Sequence, residues 1–133
     1  STPQDVALLD SQKGLKMFET VKVPVLGMVE NMSYFVPDDA PEKKYYIFGE
    51  GGVEKAAEKI GTEFFGQIPL EIALREGSDK GEPYMSQHEY EGRPVWNAYM
   101  ELAHKIDEKL GDGKQEGEKK EKNFLQRLFQ RSE

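Results

Sequence analysis

The 133-residue chain has no cysteine. That excludes a disulfide framework and any thiolate site for a metal or an iron–sulfur cluster. Histidine is nearly as scarce. His88 and His104 stand apart and make no metal cluster, and His104 sits in a helical pattern as a surface or packing residue. The one tryptophan, Trp96, begins a helical pattern, which suits core or rim packing better than base stacking. Positive charge is in deficit, with 18 Lys and Arg against 25 Asp and Glu and a net charge of −7. A general nucleic-acid binder needs a basic face, so that class is set aside. No apolar run approaches the ~20 residues that span a bilayer. No signal-peptide pattern is present. The length suits one domain with a modest core. A soluble intracellular protein is the default expectation.

What the chain does have begins at Val23. Residues Val23 to Val29 form a continuous apolar run with Gly27 inside it and an abrupt polar end at Glu30 and Asn31. Unbroken apolarity predicts a strand buried on both faces, as in parallel sheets covered by helices. In such sheets ligands sit beyond the carboxyl ends of the strands, which puts Asn31 where a site belongs. The residue type alone favours a turn that closes the strand over a site.

Around this run the chain alternates helices and strands. Thr2, Pro3 and Asp5 read as cap, first helical position and capping-box carboxylate of a helix of about 17 residues. Ala7, Leu8, Leu15 and Phe18 share one side of it, with Val6 and Met17 on the other. A helix opening an α/β pattern normally follows a strand, so an upstream half is expected to be missing. Tyr34 to Val36 and Tyr45 to Phe48 flank a Pro/Asp turn and predict a hairpin excursion, either a partner-binding finger or packing over the sheet edge. Gly49-Glu50-Gly51-Gly52 leads into the cleanest amphipathic helix, with Val53, Ala56, Ala57 and Ile60 on one face and Gly61 as its stop. Lacking a Gly-Lys-Ser/Thr ending, that Gly-rich turn reads as a flexible hairpin exit rather than a phosphate loop.

Glu63 to Ile68 predicts a second buried strand, ending at Pro69 and Leu70. One or two helical turns over Glu71 to Glu76, a loop over Gly77 to Pro83 and a long helix from Arg93 to Leu110 complete the folded part. Residues 112–122 are almost all Gly, Lys, Glu, Gln and Asp and cannot bury enough surface to order. Phe124, Leu125, Leu128 and Phe129 then share one face of a short basic segment. This is the pattern of a tail that docks on a membrane surface or in a partner groove.

Taken together, these strings resemble a known family. Ser1-Thr2-Pro3-Gln4-Asp5, Leu26-Gly27-Met28-Val29-Glu30-Asn31-Met32-Ser33, Ile47-Phe48-Gly49-Glu50-Gly51-Gly52, Gly66-Gln67-Ile68-Pro69-Leu70 and Ala73-Leu74-Arg75-Glu76-Gly77-Ser78-Asp79 are similar to the carboxyl half of the Mrp/ApbC family. These are P-loop ATPases of the ParA/MinD type, regarded as iron–sulfur cluster carriers. The resemblance covers residues 1–110. It implies an α/β fold, part of a Rossmann-like three-layer P-loop NTPase, with a short parallel sheet flanked by helices and a hairpin excursion. Residues 111–122 would be a disordered charged linker and residues 123–133 an amphipathic tail.

The family's P-loop, catalytic carboxylates and magnesium ligands belong to an amino half not present here. The chain alone is therefore expected to be inactive, with ATP and Mg bound only in a full-length protein. The family's Cys-x-x-Cys is replaced by Pro37-Asp38-Asp39-Ala40-Pro41, which argues against cluster binding through this motif. The resemblance implies that Asn31 recognises the adenine edge, that Pro69 and Leu70 lie at the nucleotide, and that Arg75 and Asp79 are outer candidates. It implies a homodimer, apo iron–sulfur proteins as clients, and a cytoplasmic location that is peripheral at the membrane if the tail binds anionic lipid. The tail is similar to that of MinD regulators, so a membrane-associated positioning ATPase is the main alternative, and a non-enzymatic interaction module a second. Liposome flotation with and without residues 120–133 separates the first two.

Overall fold

A computed structural model describes the backbone of residues 1–129 and the side chains of residues 1–111. The elements run α1 (Asp5–Thr20), β1 (Met28–Phe35), α2 (Gly52–Ile60), β2 (Phe64–Leu70), α3 (Ile72–Lys80), two 3₁₀ turns (Tyr84–Ser86 and His88–Tyr90) and α4 (Pro94–Phe129). The chain divides into two compact units, Ser1–Leu102 and a second that begins at Ala103 within α4.

β1 and β2 form a parallel two-stranded sheet, and α2 is the crossover between them. The expected pairing of the two apolar segments is thus present, but β1 lies further along the chain than the Val23–Val29 run. Val23, Pro24 and Val25 are exposed. The reason is local. Val23 closes the carboxyl end of α1, its N–H donating to Phe18 O at 2.9 Å while Lys22, at φ 58°, turns the chain. This is the reverse-turn hydrogen bonding that satisfies the last carbonyls of a helix. Pro24 then has no N–H for a ladder. The strand begins at Met28, whose N–H donates to Glu63 O at 2.8 Å.

The start of α1 also differs from the expected cap. Gln4 precedes the helix in extended geometry, and no side chain caps it. Residues 1–3 are held elsewhere. The Ser1 nitrogen donates to Val29 O at 3.0 Å, and Asn31 N–H donates to Ser1 O at 2.7 Å, so Ser1 makes a parallel rung on β1. Pro3 is buried against Gly52, where an added Cβ would lie 2.4 Å from Pro3 O. Gly52 therefore serves close packing at the start of α2.

The core is small. Leu8, Met28, Val53, Ala56 and Ala57 form one cluster, with Leu15 and Phe64 packed against it. The α2 stripe is buried as its spacing predicts, except that Ile60 at its end is exposed. Of the two apolar sides expected on α1, only that of Leu8 and Leu15 is used; Val6, Met17 and Phe18 are exposed. The hairpin reduces to a single antiparallel bridge, Phe35 with Tyr45, because Tyr34 and Phe35 belong to β1. α3 outruns the expected two turns and stops at Gly81, with Glu82 N–H donating back to Gly77 O at 2.8 Å. The backbone of α4 runs past Leu110 to Phe129. The tail face of Phe124, Leu125, Leu128 and Phe129 and the side chains of the charged linker lie outside the described residues. Among the described residues no helix is long and apolar enough to cross a membrane.

Candidate functional site

The carboxyl ends of β1 and β2 open onto two adjoining clefts. One, of about 470 Å³, runs between Phe35–Asp39 and the start of α3. The other, of about 390 Å³, is lined by Pro69 and Leu70 together with Pro37 and Pro41 of the excursion. Glu71 and Arg93 line both. Parallel strands place this edge by necessity: both chains run the same way, so both leave the sheet at the same end.

A polar cluster organises the shared wall. Glu71, the residue after β2, keeps only 13% of its side chain exposed and accepts from Arg93 at 2.7 Å. The same oxygen accepts the Tyr84 hydroxyl at 2.8 Å. Arg93 also donates to Asp38 of the excursion at 3.0 Å. Its guanidinium lies 5.7 Å from the centre of the Tyr90 ring, which stacks on Tyr84 at 4.5 Å. Burial first, and then the hydrogen bond to Glu71, push the Tyr84 phenol well above its ordinary pKa. Tyr84 therefore stays protonated and donates at neutral pH.

The sequence-derived candidates divide. In the sheet register Asn31 pairs with Ile68, one residue before Pro69. Asn31 is exposed, and its Oδ1 accepts the Met32 N–H at 2.9 Å. Met32, at φ 55°, absorbs the shift in register that follows. Asn31 thus lies within β1 rather than past its end, and it lines neither cleft. Pro69 and Leu70 line the smaller cleft. Arg75 and Asp79 are exposed on α3 and pair with each other at 2.9 Å, outside both linings.

Sequence reasoning missed Glu71, Tyr84 and Arg93, and it read Glu30 as a strand end. Glu30 is fully buried inside β1. Its carboxylate accepts Val53 N–H at 3.0 Å and the Gln67 amide at 3.0 Å. It thereby satisfies an orphan donor in the first turn of α2 and places negative charge where the helix dipole favours it. The available signal was a lone carboxylate two residues after a buried methionine, on the inward period of a strand.

Residues 1–107 match the ParA-class family described as NUBPL iron-transfer P-loop NTPase. An iron–sulfur cluster carrier protein of Synechocystis is 57% identical over 83 residues, covering 62% of this chain and 24% of that protein. One from Pyrococcus horikoshii is 45% identical over 119 residues, covering 90% of this chain and 39% of that protein. Among solved structures, a nucleotide-binding protein of Archaeoglobus fulgidus in complex with ADP superposes with a TM-score of 0.56 at 34% identity, covering 71% of this chain and 38% of that one. The chain therefore spans well under half the length of these relatives. With its motifs in order over residues 1–107, it belongs to the iron-transfer P-loop NTPase family of the Mrp/ApbC type.

Proposed function

We propose that this chain is the carboxyl part of an ATP-binding iron–sulfur cluster carrier and supplies the adenine side of its nucleotide site. The observation that carries this reading is the sheet register, which pairs Asn31 of β1 with Ile68, the residue before the Pro69 and Leu70 that line the smaller cleft, in a chain whose relatives are named as cluster carriers.

In this reading the Asn31 amide reads the base, its Nδ2 donating and its Oδ1 accepting. Pro69 and Leu70 bound the base on its apolar side. Arg75 and Asp79, already paired with each other, play an outer part at most. Phosphate and magnesium chemistry, and hence hydrolysis, fall to residues outside this chain. The cluster is cargo. With no cysteine, and no group of His, Asp and Glu suited to a metal among the described residues, this chain does not fit as its ligand set. The full-length protein would work as a cytoplasmic homodimer with apo iron–sulfur proteins as clients. Its tail face would give it a peripheral hold on an anionic membrane surface.

The test is Asn31→Ala in a full-length protein carrying this chain. ATP binding should weaken by about 1–3 kcal/mol, the value of a lost amide contact, and GTP binding by less. Equal losses for both nucleotides would show a folding effect and reject base recognition.

A further inference from the structure

We propose that Arg93 is a positioning residue for nucleotide selectivity, acting through Glu71 on the Pro69–Leu70 edge. The inference rests on the reading of that edge as the adenine side. Four chain segments meet at this one ion pair. Glu71 directly follows β2, Arg93 directly precedes α4, Tyr84 comes from the first 3₁₀ turn, and Asp38 comes from the excursion. Each partner is distant in sequence, so none of these contacts follows from local structure. The Arg93–Glu71 contact lies in the wall that both clefts share at the strand ends, together with Val36, Pro37 and Asp38.

The charge pattern explains why an arginine is needed. The larger cleft is lined by Asp38, Asp39, Glu71 and Glu76 against Arg93 alone, and the smaller, which holds Pro69 and Leu70, by Asp38 and Glu71 against Lys44 and Arg93. Neither lining carries a net positive charge to draw phosphate, and the balanced smaller one suits an uncharged base. Without the guanidinium, Glu71 would stand as an uncompensated and largely buried carboxylate one residue from Leu70. It would be driven to rotate toward solvent and take the strand end with it. A guanidinium is a planar fork that holds two carboxylates at once while its face rests near an aromatic ring. Here it holds Glu71 at 2.7 Å and Asp38 at 3.0 Å, beside Tyr90. Arg93 therefore also couples the excursion to the cleft, so a base entering there meets an edge fixed on both sides.

The experiment uses a full-length protein carrying this chain and measures calorimetric binding of ATP and of GTP for Arg93→Met, Arg93→Lys and Asn31→Ala. Arg93→Met is expected to weaken ATP binding about ten-fold and to narrow the ATP-to-GTP ratio. Arg93→Lys, which keeps the charge but not the fork, is expected to keep the fold and lose about three-fold in ATP affinity. A uniform loss for both nucleotides together with a lowered melting temperature would make Arg93 structural only and overturn the proposal. Wild-type affinity in Arg93→Lys would overturn it even if Arg93→Met fails to fold. Should Asn31→Ala leave both affinities unchanged, the adenine-side reading falls, and this inference with it. Loss in Asn31→Ala with no change in the Arg93 variants rejects this inference alone.

Discussion

Glu30 shows how a single side chain can hold three elements together. Its two oxygens bond Val53 N–H and the Gln67 amide, so β1, α2 and β2 meet on one carboxylate. No buried side-chain polar atom among the described residues lacks a partner. Glu30→Ala would leave a buried backbone donor and a side-chain amide unpaired. The expected loss is about 2–4 kcal/mol, read by denaturant unfolding; a loss under about 1 kcal/mol would mean that water replaces the carboxylate. Tyr84 offers a pH test at the same scale. Its phenol is raised above its ordinary pKa in the fold, so its contribution is fully present below about pH 10 and drains as pH rises beyond that. Stability should therefore fall more steeply above about pH 10 in the parent than in Tyr84→Phe. Parallel slopes would contradict the raised pKa that burial and the Glu71 hydrogen bond give this phenol. Neither residue announces its role in the sequence. Glu30 looks like the polar end of an apolar run, and the partner of Tyr84 lies 13 residues away.

Between elements, what was legible is what is local. The stripe Val53, Ala56, Ala57 with Gly61 beyond it specifies α2, and the structure has that helix over Gly52–Ile60, with Gly61 at φ 77°. The parallel pairing of the two apolar segments also follows from pattern. The extent of β1 does not. The apolar residues Val23 and Val25 are spent on the turn out of α1, while the polar residues Glu30 and Ser33 are buried because their partners come from across the sheet and from α2. That Pro69 and Leu70 close β2 at its carboxyl edge follows from pattern, whereas Arg93 finds Asp38 across 55 residues of chain. The turn after α1 has its own test. Lys22 occupies the left-handed region, at φ 58°, which is strained for a residue with a Cβ. Lys22→Gly is expected to stabilise the fold by about 0.5–1 kcal/mol, visible as a raised melting temperature. An unchanged or lowered value would show that the backbone freedom gained by the unfolded chain cancels the relief.

Among the described residues the chain offers one small core, one parallel pair and one cleft edge, and residues 1–107 belong to the iron-transfer P-loop NTPase family. In the proposed reading this chain, with no cysteine and with Pro69 and Leu70 in a cleft whose acidic and basic side chains balance, holds the base and leaves triphosphate and cluster to residues outside it. The most direct measurement is photo-crosslinking in a full-length protein carrying this chain, with the reactive group placed either on the adenine ring or on the γ-phosphate of ATP, followed by peptide mapping. Adenine-borne label is expected in residues 28–36 and 64–71, and γ-phosphate-borne label outside this chain. Adenine-borne label outside this chain, or γ-phosphate-borne label at Pro69 to Glu71, would contradict the assignment of this edge to the base.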